Sequence, residues 1–144
     1  MRALTVRQPW ASLITLGLKR VENRTWRIDP QRIIIHAGKE TAEGQPETQR
    51  ALRSAFVGTV QVVECHRAGS QACEDAGCPD HMYAEMGHFM LGSTAPRRMN
   101  HWILAAPREF ARPIPAAGAQ GLWLPAPGLQ DEIRRADDQA IQKL

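Results

Sequence analysis

The stretch Arg7-Gln-Pro-Trp-Ala-Ser-Leu-Ile-Thr-Leu-Gly-Leu-Lys-Arg-Val-Glu-Asn-Arg-Thr-Trp26 decides the fold. Pro9 is suited to the first turn of a helix, and Trp10, Leu13, Ile14 and Leu18 are spaced to bury one helical face. Gly17 is placed to end that helix. From Arg20 to Arg27 the pattern changes to alternation, with Val21, Asn23 and Thr25 on one side and Glu22, Arg24 and Trp26 on the other. A helix, a glycine turn and a charged strand in twenty residues can aim opposite charges into one cleft. In that cleft Lys19 and Arg24 would hold Glu22 ionised, and Trp26 would offer a ring on which a base could stack. The competing reading is a surface ion-pair ladder, worth about 0–1 kcal/mol per exposed pair.

Outward from this stretch, Ala3–Val6 and Arg32–His36 read as strands, the second with three consecutive isoleucines that imply burial on both faces. Phe56–Glu64 is the strongest strand, with Gly58 marking a bulge or a close approach. Trp102–Phe110 is a further strand, Pro113–Pro115 is extended, and Gly121–Pro125 is a last short strand. Short helices are expected at about Pro46–Leu52 and Asp80–Met86. Leu129–Leu144 forms a C-terminal helix with Leu129, Ile133, Ala136, Ala140 and Ile141 as its apolar stripe. About six short strands, two or three helices and no regular βαβ alternation point to an α+β chain: a small β-barrel with helices outside it. Its expected organisation is one domain over residues 1–128, with an irregular insertion at about 67–98, followed by the helix at 129–144.

At 144 residues the chain has the length of one domain and can bury a core without a covalent or metal staple. No apolar run is long enough to span a membrane, and Arg7, Gln8 and Pro9 interrupt the first hydrophobic stretch, so a cytoplasmic location without an export signal is expected. The net charge of +3 is distributed unevenly. Met1–Lys39 carries eight basic residues against two acids, whereas Glu40–Met90 carries three against eight. Fifteen of the eighteen basic residues are arginine, the better group for bidentate phosphate contacts and for stacking.

Other chemistry is thinly represented. Cys73-x4-Cys78-x2-His81 supplies three zinc ligands of acceptable type, with Cys65, His66 or His88 available as a fourth. The paired CxxC spacing is missing, so the three cysteines read as reduced, unligated side chains, and no metal or other cofactor is expected. His36 closes a buried strand and suits either a hydrogen-bonded core position or the cleft. Trp102 and Trp123 read as core. There is no glycine-rich phosphate loop, GxSxG or HExxH, which disfavours the hydrolases that depend on them.

The same segment resembles the ASCH (activating-signal-cointegrator homology) domain, whose signature is a glycine turn followed by lysine, an acid and arginine, here Gly17, Lys19, Glu22 and Arg24. Gln8-Pro9-Trp10-Ala11 is similar to the helix start of the cointegrator-like branch. Trp26, Ile35-His36-Ala37 and Gly118–Pro125 with Gly121-Leu122-Trp123 also match family features. The resemblance covers roughly Met1–Lys39 and Val57–Pro125. It implies a PUA-like β-barrel, related to domains that bind RNA and modified nucleotides, with the signature residues lining a cleft. Lys19, Arg24 and Arg7 would then contact phosphate, Glu22 and Gln8 would read a base or sugar edge, and Trp26 or Trp10 would stack, with His36 at the cleft wall. RNA or another single-stranded nucleic acid is the expected partner.

Two other functions compete. One is an enzyme on the same cleft, a nuclease or a modified-nucleoside amidohydrolase, with Lys19 and Glu22 as the reacting pair. A compact branch of similar fold hydrolyses N4-acetylcytidine with a lysine and a threonine three residues later. Lys19 matches that lysine, but Glu22 stands at the threonine position, and a carboxylate cannot replace an activated hydroxyl. The other is a protein-interaction adaptor using residues 67–98.

Overall fold

A computed structural model of the chain describes residues 1–41, 52–78 and 99–142. The helices expected at 46–52 and 80–86, and most of the 67–98 segment, lie outside the described residues. In chain order the elements are β1 (Ala3–Gln8), α1 (Trp10–Thr15), β2 (Val21–Arg24), β3 (Gln31–Thr41), β4 (Ala55–Arg67), α2 (Gln71–Asp75), β5 (Asn100–Pro115), β6 (Leu122–Trp123) and α3 (Pro127–Ile141). The strands form one mixed sheet in the order β2-β5-β4-β3-β1-β6. β1 runs parallel to β3, with Ala3 opposite Ile34 and Val6 opposite Ala37, and is antiparallel to β6. β2 is antiparallel to β5. This is the expected α+β arrangement of six strands and, among the described residues, three helices including a C-terminal one; its sheet is open, with β2 and β6 at the ends.

The chain groups into two compact units. One comprises Met1–Lys19, Arg32–Gln61 and Ala106–Leu144; the other comprises Arg20–Gln31 and Val62–Ala105. In the first, Ala3, Ile34, Phe56, Phe110, Ile114 and Ile133 form the core, with Trp123, Leu129 and Ala136 packed against it. The three isoleucines of β3 are all buried, so both faces of that strand are covered, and Ile34 joins the core. The C-terminal helix is tied down by a buried carboxylate as well as by Ile133. Asp137 accepts from Thr59 Oγ1 at 2.5 Å and from Arg108 Nη1 at 2.7 Å. Arg32 completes the network, donating to Thr59 Oγ1 at 2.9 Å and to the Ala106 carbonyl at 3.0 Å. Burial, then the like charge of Arg108, lowers the Arg32 pKa from its ordinary value, and Asp137 opposes both. One of the basic residues of the N-terminal excess is therefore committed to holding the fold.

In the second unit, Val21, Ile28, Val62, Met99, Trp102 and Leu104 are buried. Trp102 meets Trp26 edge-on at 4.5 Å between ring centroids, and its Nε1 donates to the Trp26 carbonyl at 3.1 Å.

Several boundaries differ from the sequence reading, each for a local reason. α1 ends at Thr15, closed by Gly17 in the left-handed region (φ +75°): Leu18 N–H donates to the Leu13 carbonyl, and Gly17 N–H to that of Ile14. Leu18 therefore falls beyond the helix and is 67% exposed, not part of the buried face. β2 stops at Arg24, not Arg27, because its partner β5 begins at Asn100, directly opposite. Trp26 consequently sits past the strand and does not share a strand face with Glu22 and Arg24. The segments 102–110 and 113–115 are one sixteen-residue strand; β2 pairs only with Asn100–Ile103, so the later prolines meet no β2 ladder they would interrupt. α3 opens at Pro127, two residues before Leu129, and its buried residues are Ile133, Asp137 and Ala140, while Ile141 is exposed.

Candidate functional site

Of the sequence-predicted residues, Arg7, Gln8, Trp10, Lys19 and His36 belong to the first unit, and Glu22, Arg24 and Trp26 to the second.

In the first unit, Arg7 sits where the β1 register shifts, and its exposed guanidinium pairs with Glu40 at 2.6 Å. Gln8 is wholly buried and builds the start of α1. Its Nε2 donates to Ser12 Oγ at 2.9 Å and to the Leu52 carbonyl at 3.2 Å, and its Oε1 accepts from Ser12 N at 3.1 Å. Trp10, the first residue of α1, is half-buried. Lys19, two residues after the glycine turn, is only 5% exposed, an unusual position for a side chain that is almost never fully buried without a partner.

His36 is a core residue. Its ring packs edge-on against Phe56 and Trp123, and Nε2 lies 3.0 Å from the Ala116 carbonyl, which makes Nε2–H the donor. Nδ1 has no hydrogen-bond partner among the described residues. A Cβ at Gly118 would come within 2.9 Å of Nδ1, so the Gly118 backbone closes directly over the ring. Burial lowers the His36 pKa, and the Ala116 hydrogen bond opposes this only in part.

In the second unit, Glu22 is buried opposite Trp102, and its Oε1 accepts from both Nε and Nη2 of Arg24 at 2.9 Å. The Arg24 side chain is 26% exposed. The residues are two apart on one strand and so share a face, which lets one carboxylate oxygen fix the plane of the guanidinium. An arginine oriented in this way has already lost the rotamer freedom that an anion would otherwise have to remove.

The same unit holds a second cluster. His66, Cys73, Cys78 and His101 are all buried, and their ligand atoms lie within 4.8 Å of one another. Cys73 and Cys78 are among the ligands that the sequence spacing suggests, but His81 lies outside the described residues and Cys65 is outside the cluster. His66 is one of the available fourth ligands. His101 escaped sequence reasoning: twenty-two residues separate it from Cys78, and its only sequence signal is its place at the start of a strand. Sequence reasoning also missed the Arg32, Thr59, Asp137 and Arg108 network, since nothing in a helical stripe marks one acid as buried.

An ASCH domain family model matches residues 4–114. Among solved structures, the chain is similar to ASCH from Zymomonas mobilis, with a TM-score of 0.63 at 16% identity over 92% of this chain and 93% of that one. It is likewise similar to a serine-to-alanine mutant of that protein, with a TM-score of 0.64 at 15% identity over 94% and 96%. No curated protein matches in sequence. No helix among the described residues is long and apolar enough to cross a membrane.

Proposed function

Because the chain belongs to the ASCH domain family, whose PUA-like fold generally binds RNA, we propose that it is a binding module for RNA or a nucleotide-like ligand. The observation that carries this reading is Arg24, a partly exposed guanidinium held by two hydrogen bonds on the buried Glu22. A fixed fork of this kind suits a phosphate or the edge of a base. Glu22 acts on the ligand by orienting Arg24. Trp26, half-buried in the same unit as Arg24, is the stacking candidate. In the first unit, Gln8 fixes the start of α1 and His36 packs in the middle of β3. The Gln8-Pro9-Trp10-Ala11 start supports membership of the cointegrator-like branch.

The test is a panel of single-stranded RNA, single- and double-stranded DNA and free acylated cytidines, measured for retention across salt concentrations and for intactness by mass spectrometry. Retention of RNA should weaken with salt, at roughly −0.7 in log–log slope per neutralised phosphate. Arg24→Ala should weaken binding about tenfold and reduce the slope by about one contact. Absence of salt-sensitive retention would sink the binding reading. Product formation abolished by Glu22→Gln would replace it with an enzyme acting on the same residues.

A further inference from the structure

We propose that His66, Cys73, Cys78 and His101 form a structural zinc site. Each ligand comes from a different place in the second unit: His66 from the end of β4, Cys73 from α2, Cys78 from the turn after it, and His101 from the start of β5. His66 Nε2 lies 3.1 Å from Cys78 Sγ, and His101 Nδ1 lies 3.3 Å from Cys73 Sγ. A tetrahedral zinc ion with ordinary Zn–S and Zn–N bonds sets ligand atoms about 3.3–3.8 Å apart. Ligand atoms already within 4.8 Å of one another need only side-chain adjustment to reach that geometry.

Three further features fit a metal better than two isolated histidine–thiol hydrogen bonds. His66 Nδ1 lies 2.6 Å from Glu64 Oε1, so the carboxylate holds the Nδ1 proton and leaves the Nε2 lone pair facing the cluster. This is the carboxylate–histidine arrangement that orients and strengthens metal ligands. Gly77, at φ +54° with nothing close to its missing Cβ, turns the chain so that Cys78 returns beside Cys73. Ser70 caps α2 by accepting from the Cys73 backbone N–H, which fixes the other end of the loop. Charge balances as well. Binding Zn2+ releases the two thiol protons, and the two thiolates neutralise the dication, so the buried centre carries no net charge. Four protein ligands close the coordination sphere without a position for water, which assigns the ion to holding β4, α2 and β5 together within this unit, not to catalysis.

The experiment measures metal in the full chain, purified in reductant without chelator, and then titrates the stripped protein with Co2+. One zinc per chain is expected, with thiolate-to-cobalt charge transfer and the intense visible bands of tetrahedral Co2+. Cys73→Ser and His101→Asn should abolish both signals, and Cys65→Ser should preserve them. Because ligand variants can fail to fold, two readouts avoid them. Zn2+, but not Mg2+, should raise the melting temperature of stripped wild type. Glu64→Gln, at a half-exposed residue, should weaken metal binding about 10- to 100-fold. Stripped wild type without cobalt bands, or metal retention that depends on Cys65 in place of Cys73 and Cys78, overturns the proposal.

Discussion

His36 shows how a single residue can look functional in sequence and do structural work in the fold. Its imidazole is neutral because burial disfavours the cation, so protonation must be resisted by the folded state. The unfolded chain has an ordinary histidine pKa of 6.5, above the folded value, and therefore takes up the proton first as pH falls. The His36 contribution is fully present above that pH and is lost as pH falls toward the lowered folded value. Melting temperatures measured between about pH 8 and pH 5 should decline more steeply for wild type than for His36→Gln. Equal slopes would mean that His36 does not titrate differently in the two states. Glu22 and Arg24 are the opposite case. Their alternation and opposite charge were legible in sequence, and the structure joins them through one carboxylate oxygen.

At the scale of elements, sequence marked Gly58 as either a bulge or a close approach, and packing decides between them. A Cβ there would lie 2.2 Å from the Arg108 carbonyl oxygen and 2.7 Å from Thr15 Cγ2, so β4 is crowded by β5 on one side and α1 on the other. Gly58→Ala should destabilise by about 1–3 kcal/mol, since backbone must move to admit the methyl group. At about 2–4 °C per kcal/mol for a chain of this size, a thermal melt resolves the change. A melt unchanged from wild type would mean that the strands part without cost. The existence of β1, β3, β4 and α3 was legible from apolar runs and periodicity. Their ends were not. β2 stops where β5 provides no further partner, and α1 stops at a glycine cap before Leu18 can turn inward.

At the scale of the molecule, the family match ends at residue 114, yet α3, beyond it, completes the first unit's core through Ile133, Leu129 and Ala136. Asp137 adds a buried carboxylate whose partners Thr59 and Arg108 would lose it on removal of the helix. A chain ending at Pro125 should lose cooperative unfolding, as measured by denaturant titration, because apolar surface is exposed and two polar groups become unsatisfied together. Asp137→Ala, which keeps the helix, should cost about 2–3 kcal/mol. A truncated chain that unfolds as cooperatively as the full one would show that α3 is an accessory.

The amino-acid sequence by itself determined what depends on neighbours along the chain. Period-two and helical patterns, the proline at a helix start, the glycine that ends α1 and the two-sided burial of Ile33–Ile35 all follow from local geometry and hydrophobicity. Only the tertiary structure decided which residues meet across long separations: Asp137 with Thr59 and Arg108, and His101 with Cys73. Such partners are chosen by sheet register and by the packing of helices on it. A carboxylate or an imidazole carries no mark in sequence of the strand it will face.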